Sequence, residues 1–160
     1  MVDHKIVTAE SGDIGTLVRL CSALFVEDSG TRDPLTDVDW PTAHARNHFL
    51  SLISRDDALC LLARSGRTTV GYLAGYVGEP AEIRPVTIVE LQSMYVEPGS
   101  RGNGVGSALV DGFLAWARDR RAGPVSVTAY ASNEAAVRFY GRIGLRPKSV
   151  TLEMALQETL

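Results

Sequence analysis

Met94-Tyr95-Val96-Glu97-Pro98-Gly99-Ser100-Arg101-Gly102-Asn103-Gly104-Val105-Gly106-Ser107-Ala108-Leu109 passes from an extended apolar stretch, through a glycine-rich turn, into an amphipathic run. Gly102, Gly104 and Gly106 fall where the chain must turn tightly and where successive backbone N–H groups gather at a helix start. With no side chains in the way and Arg101 adjacent, such a turn suits a diphosphate. Glycines are also common in strand-to-helix turns for steric reasons alone. Two other phosphate motifs fail their own requirements. A Walker loop needs Gly-Lys-Ser/Thr, and no such lysine is present; a dinucleotide fingerprint needs Gly-x-Gly-x-x-Gly, and here the third glycine comes one residue early.

Reading outward toward the N-terminus, residues 85–96 form one long strand after the break at Gly78-Glu79-Pro80, long enough to carry a bulge or a bend. Residues 58–63 and 69–77 read as a hairpin around Arg64-Ser65-Gly66-Arg67. A first strand at 5–9 precedes a helix capped by Ser11 or Asp13, with Ile14, Leu17, Val18 and Cys21 at helical spacing. Residues 27–40 are polar, interrupted by Gly30 and Pro34, and read as a loop. Asp39 then caps a second helix through Ile53, with Pro41 in its first turn.

Toward the C-terminus, Val105, Ala108, Leu109, Gly112, Phe113 and Trp116 mark one face of a helix that ends near Arg120, before Gly123-Pro124. Residues 125–130 alternate as a strand. Asn133 caps a helix with the face Ala136, Phe139, Tyr140 and Ile143 and with Gly144 at its C-terminus, and a last strand covers 148–156. The expected fold is a mixed α/β sheet in one domain, residues 1–160, with no linker or repeat.

The chain has 160 residues, 45% hydrophobic, with a formal charge of −3, which excludes a strongly basic or acidic protein. That charge is unevenly distributed. Residues 99–148 carry eight basic against three acidic side chains, a balance of +5, so the remainder carries −8. Glu27, Asp28, Asp33, Asp37 and Asp39 are opposed locally only by Arg32. Cys21 and Cys60 lie in apolar surroundings without metal-ligand spacing, as buried free thiols in a reducing compartment do. No stretch approaches the length of a membrane span and the N-terminus lacks a signal pattern, so the expectation is a cytoplasmic protein that binds neither membrane nor nucleic acid.

Arg101, Gly104 and Gly106 match the Arg/Gln-x-x-Gly-x-Gly/Ala core of the acetyl-coenzyme A signature of the GNAT N-acetyltransferases, which the opening stretch resembles. Residues 133–147, with Asn133, Ala136 and Phe139-Tyr140, resemble that family's later Asn-x-x-Ala and Phe-Tyr motif, although Leu145 stands where an aromatic is usual. The resemblance implies a mostly antiparallel mixed sheet, splayed at its middle strands and flanked by about four helices. It also implies acetyl-CoA as cosubstrate, with no metal. The pyrophosphate would lie on the N–H groups of Gly102, Asn103, Gly104, Val105, Gly106 and Ser107, with Arg101 at the mouth and the pantetheine arm along the main chain of Met94 and Val96. Asn133 matches a cofactor-contacting asparagine and is equally a plain helix cap. Family habit also suggests a homodimer.

Acetyl transfer to an amine needs a neutral nucleophile, a polarised thioester carbonyl and a proton for the leaving thiolate. Glu90, at a strand position where several family members carry a catalytic glutamate, is the candidate base; alternatively it only lines an open slot. Gln92 could hold a water beside it. Tyr140 matches the family's acid at the leaving sulfur, and otherwise is a core tyrosine. A main-chain N–H near Met94 would polarise the carbonyl. His44 and His48, four apart, have no third ligand and read as a solvated helix face.

The first two helices and their connection form one wall of the acceptor site in this family. Here that wall carries Glu27, Asp28, Asp33, Asp37 and Asp39, which would concentrate a cationic small-molecule amine such as an aminoglycoside or polyamine. A protein lysine or N-terminus is the alternative acceptor. A non-catalytic acyl-CoA sensor is the alternative from another class.

Overall fold

Ala58–Ser65 (β2) and Thr68–Val77 (β3), the two most apolar runs of the chain, pair antiparallel as the centre of a five-stranded sheet. The computed structural model describes residues 3–121 and 123–157. The strand order is β1-β2-β3-β4-β5, with β1 at Lys5–Thr8, β4 at Val89–Val96 and β5 at Val125–Val127. All neighbours are antiparallel except β4 and β5, which run parallel.

Alternation along β2 and β3 divides the core between two faces. Cys60, Leu62, Tyr72 and Ala74 join Leu17, Leu20 and Cys21 of α1 (Ile14–Leu24) and Phe49 and Leu52 of α3 (Arg46–Ile53) in one buried cluster. The intervening residues turn to the other face, where α4 (Val105–Asp119) buries Leu109, Val110 and Phe113. Leu17, Leu20, Leu62, Tyr72, Leu109 and Phe113 are fully buried, and each such apolar side chain contributes about 1.5–3 kcal/mol relative to exposure.

The start of α1 differs in detail from the sequence reading. A turn at Ser11–Asp13 precedes it, and the Glu10 N–H donates to Asp13 Oδ2 at 2.8 Å, so Asp13 reaches backward rather than capping forward. More consequentially, the 27–40 loop is half helix. The helix continues from α1 through a widened turn at Phe25–Ser29 into α2 (Gly30–Arg32). The polar residues that suggest a loop stabilise this extension: Arg32 Nε lies 2.6 Å from Asp28 Oδ1, and the Thr31 hydroxyl donates to the Glu27 carbonyl at 2.7 Å. Only the stretch beyond is irregular, with Asp33 Oδ1 accepting from Leu35 N–H and Asp37 Oδ1 from Asp39 N–H, both at 2.9 Å. The second helix begins with Pro41–Ala45 and continues as α3, with Trp40 rather than Asp39 at its start.

Three strand expectations are also corrected. β4 begins at Val89 because residues 81–86 are taken up by turns, with Arg84 N–H donating to the Ala81 carbonyl at 3.0 Å and Val86 N–H to the Arg84 carbonyl at 2.7 Å. β5 stops at Val127 instead of 130, where its pairing with β4 ends. Residues 148–156 form no strand among the described residues. Val150, Leu152, Met154 and Leu156 alternate as a strand would, yet they are 75%, 89%, 79% and 88% exposed, and alternation alone supplies no ladder partner.

The chain divides into two compact units, Met1–Thr128 and Ala129–Leu160. The first holds the sheet with α1 to α4. The second holds α5 (Glu134–Ile143), which Asn133 caps and Gly144, at φ 119°, terminates, as the sequence suggests.

Candidate functional site

The register of β3 and β4 shifts at one place. Ser93 lies opposite Ala74 and Leu91 opposite Gly75, leaving Gln92 as an extra residue on β4. This bulge is built around Gly75: a Cβ there would press into the Phe113 ring and lie 2.5 Å from the Glu90 carbonyl oxygen. β5 pairs with β4 only at Val89, Glu90 and Leu91, so among the described residues the outer edge of β4 has no strand partner from Gln92 to Val96. The sheet therefore opens at the bulge, and Met94 and Val96 lie on the opened stretch.

Glu90, Ser93 and Tyr95 lie opposite Tyr76, Ala74 and Tyr72, and so share the face that α1 and α3 cover. Glu90 is half-buried. Burial pushes its carboxyl above the usual range, and a hydrogen bond with the Ser126 hydroxyl on β5 partly offsets this. An acid of this kind is poised to exchange a proton.

Gln92 has a partner that sequence reasoning missed. His48 Nε2 lies 2.7 Å from Gln92 Oε1, and its ring packs edge-on against Trp40 and Phe49, with centroids at 5.7 and 5.3 Å. The solvated face expected for both histidines holds for the exposed His44 but not for the half-buried His48. The available signal was its place beside Phe49 on the buried side of α3. Next along β4, the fully buried Tyr72 donates its hydroxyl to Ser93 Oγ at 3.0 Å.

The turn after β4 takes the shape its glycines suggest. Gly102 and Gly104 adopt left-handed φ of 78° and 81°, a region costly for any residue with a Cβ. No side chain caps α4, and its first backbone bond runs from Ala108 N–H to the Gly104 carbonyl at 3.0 Å. The N–H groups of Val105, Gly106 and Ser107 thus have no acceptor among the described residues. The helix dipole adds partial positive charge, so the exposed turn fits an anionic diphosphate. Asn103 sits in the turn with its amide 3.5 Å from the Arg101 carbonyl.

Arg101 is held from three sides. Its Nη1 and Nη2 lie 2.7 and 2.6 Å from the two carboxylate oxygens of Glu27, its Nε donates to the Val96 carbonyl at 2.8 Å, and its guanidinium lies 5.4 Å from the Tyr95 ring centre. The Arg101 pair holds the Glu27 carboxyl below its usual range. Two expected roles therefore meet in one ion pair, the cofactor arginine and an acid of the acceptor wall. Asp28 is paired with Arg32, which leaves Asp33, Asp37 and Asp39 as the acids of this wall outside the salt bridges.

In the second unit, Asn133 Oδ1 accepts from Ala136 N–H at 3.1 Å, so the capping role is real. Tyr140 is half-buried on the expected face of α5, with its ring edge-on to Phe139 at 5.1 Å. The two cysteines are buried and free, and burial pushes Cys21 up to about 11 and Cys60 up to about 12. Among the described residues no cluster of His, Cys, Asp or Glu could hold a metal, and no helix is long and apolar enough to cross a membrane.

A splayed mixed sheet whose fourth strand runs through a glycine turn into a helix defines a class of protein, and sequence comparison agrees. The chain belongs to the Acetyltransferase (GNAT) family, whose pattern matches residues 23–145. It is 28% identical over 106 residues to an uncharacterized N-acetyltransferase of Methanocaldococcus jannaschii. The match covers 66% of this chain and 47% of that protein, so the chain spans about half the length of its curated relative. The fold is shared with a Clostridium acetobutylicum structure described as a predicted acetyltransferase with acetyl-CoA: TM-score 0.76, 19% identity, 96% of this chain and 97% of that one. It is shared too with an aminoglycoside acetyltransferase from an uncultured soil metagenomic sample, in complex with sisomicin: TM-score 0.69, 18% identity, 96% and 97% coverage.

Proposed function

We propose that the protein transfers the acetyl group of acetyl-CoA to a primary amine of a cationic small molecule. One observation carries this reading: a β4 that opens at its bulge and leads straight into an uncapped helix start, with the half-buried Glu90 beside the opening. Family membership supports the acetyl donor. The sisomicin-bound neighbour and the three acids of the 33–39 stretch outside the salt bridges support a cationic acceptor.

In this reading the N–H groups of residues 102–107 hold the diphosphate, and the open edge of β4 at Met94 and Val96 holds the pantetheine arm. The Val96 carbonyl already accepts from Arg101, so hydrogen bonds along this edge come from its remaining groups. Glu90 takes the proton from the attacking amine, directly or through a water at Gln92. The nitrogen bonds to the acetyl carbon, the carbon–sulfur bond breaks, and Tyr140 gives its phenolic proton to the departing thiolate. Asn133 acts as a helix cap that also contacts the cosubstrate. Residues 1–160 act as one catalytic domain in the cytoplasm, as a homodimer.

An amine panel with acetyl-CoA tests the proposal by following free thiol. Amine-dependent thiol release, greatest for polycationic acceptors, is the expected result; thiol release that is the same without any amine would overturn it.

A further inference from the structure

Tyr72 is fully buried, and its ring is held edge-on against Phe49, with centroids 5.8 Å apart. Two groups face its hydroxyl. One is the Cys21 thiol, which burial pushes up to about 11, so it keeps its proton at neutral pH. The other is Ser93 Oγ, at 3.0 Å. Sulfur is the weaker acceptor, so the phenol accepts from the thiol and donates its own hydrogen to the serine. Ser93 Oγ is thereby left with its own hydrogen, which meets no other acceptor among the described residues.

The backbone beside this serine is also unspent. Glu97 N–H donates to the Val70 carbonyl at 2.8 Å, toward β3. Backbone groups along an antiparallel strand alternate in direction, so those of Val96 and Met94 turn to the outer edge. The Val96 carbonyl, bonded there by Arg101, shows that direction. β5 does not reach this stretch, so the Met94 N–H has no ladder partner on the outer edge among the described residues. Two donors therefore meet at one corner of the bulge: the Ser93 hydroxyl, on the Glu90 face, and the Met94 N–H, one peptide bond further along the strand.

We propose that Ser93 is a further catalytic residue, whose hydroxyl donates to the thioester carbonyl oxygen beside the Met94 N–H, and that Tyr72 is the positioning residue that aims it. As the amine nitrogen bonds to the acetyl carbon, the carbonyl π pair moves onto the oxygen, and both donors strengthen with the charge that builds there. The serine keeps its proton throughout. When the carbonyl re-forms, the carbon–sulfur bond breaks and the sulfur leaves with the electron pair. Both donors address the oxygen, so the lone pair of the amine stays free to attack. This inference rests on the acetyl-transfer reading and adds the side chain that stabilises its developing charge.

The test compares Ser93→Ala, Ser93→Thr, Tyr72→Phe and the combination of Ser93→Ala with Tyr72→Phe against the wild type in steady-state acetylation of spermidine. Ser93→Ala should lower kcat about a hundredfold and leave both KM values within about twofold, because the donor strengthens only as charge develops. Ser93→Thr keeps a hydroxyl and should recover most of the loss. Tyr72→Phe keeps the buried ring and should lower kcat about fivefold in the wild type, the loss of one hydrogen bond. On the Ser93→Ala background the same change should matter less than about twofold, whereas a merely structural loss would appear in both. An unchanged kcat in Ser93→Ala would overturn the role of the serine, and equal Tyr72→Phe losses in the two backgrounds would overturn that of the tyrosine. If the wild type transfers no acetyl group, the acetylation reading fails, and the infrared band of the thioester carbonyl in bound, isotope-labelled acetyl-CoA decides the contact separately. A lower carbonyl frequency in the wild-type complex than in the Ser93→Ala complex supports it, and the same frequency in both contradicts it.

Discussion

Arg101 and Glu27 face each other in a two-pronged pair, with Nη–Oε distances of 2.7 and 2.6 Å, although 74 residues separate them. The pair ties the helical wall that begins at α1 to the turn that opens α4. Both side chains are 44% exposed, so the pair contributes little to stability, about 1 kcal/mol at most. Its importance is electrostatic, because Glu27 neutralises the arginine closest to the proposed diphosphate site.

Glu27→Gln should therefore tighten CoA binding, by about threefold at low salt and less as salt screens the charge. Arg101 stays in place through the Val96 carbonyl and the Tyr95 ring. Calorimetric titration with CoA at two ionic strengths checks this; weaker binding by the variant would mean that Glu27 orders the turn instead.

Gly104→Ala and Gly75→Ala separate two demands on glycine. At Gly104 there is open space but a left-handed backbone, so alanine should cost about 1 kcal/mol in stability and raise acetyl-CoA KM through the displaced N–H groups. At Gly75 a methyl group meets the Phe113 ring and the Glu90 carbonyl, so the loss should reach about 3 kcal/mol. Urea unfolding of both variants, with kinetics for the first, gives the comparison.

Glu90 makes a pH prediction whose sign follows from its raised folded-state value. Between the unfolded and folded values the native state holds the extra proton, so stability falls as pH rises through that window, which lies above the ordinary value of 4.5. Activity runs the other way, since only the carboxylate can act as base. kcat/KM for the amine should rise with pH through the same folded-state ionisation, and Glu90→Gln should remove that limb, reduce kcat about a hundredfold, and flatten the stability profile. Thermal melts and pH–rate profiles of both proteins measure it.

Neutralising Asp33, Asp37 and Asp39 together should raise the KM of a polycationic acceptor about tenfold and leave acetyl-CoA KM unchanged. An unchanged acceptor KM would remove the acidic wall from the account.

Much of this arrangement is legible in the sequence because it rests on local chemistry. The glycine spacing at residues 102–106 announces the turn, and Asn133 and Gly144 bracket α5. Long-range pairing is not legible in that way. Residues 27–32 read as a loop because Asp28, Ser29, Gly30 and Thr31 are weak helix formers ahead of Pro34, and nothing near Glu27 in the chain reveals that Arg101, 74 residues away, anchors it. His48 reads as solvated because nothing near it in the chain reveals that Gln92, 44 residues away, supplies its partner. Residues 148–156 show the opposite failure, a strand pattern without the neighbour that a strand requires.

Acetyl-amine formation and CoA release, measured together with one polycationic amine for the wild type and Glu90→Gln, test the central claim most directly. The account predicts equal amounts of the two products, saturation in both substrates, and a rate about a hundredfold lower in the variant. Tight acetyl-CoA binding with no acetylated amine from the wild type would contradict it and identify an acyl-CoA sensor instead.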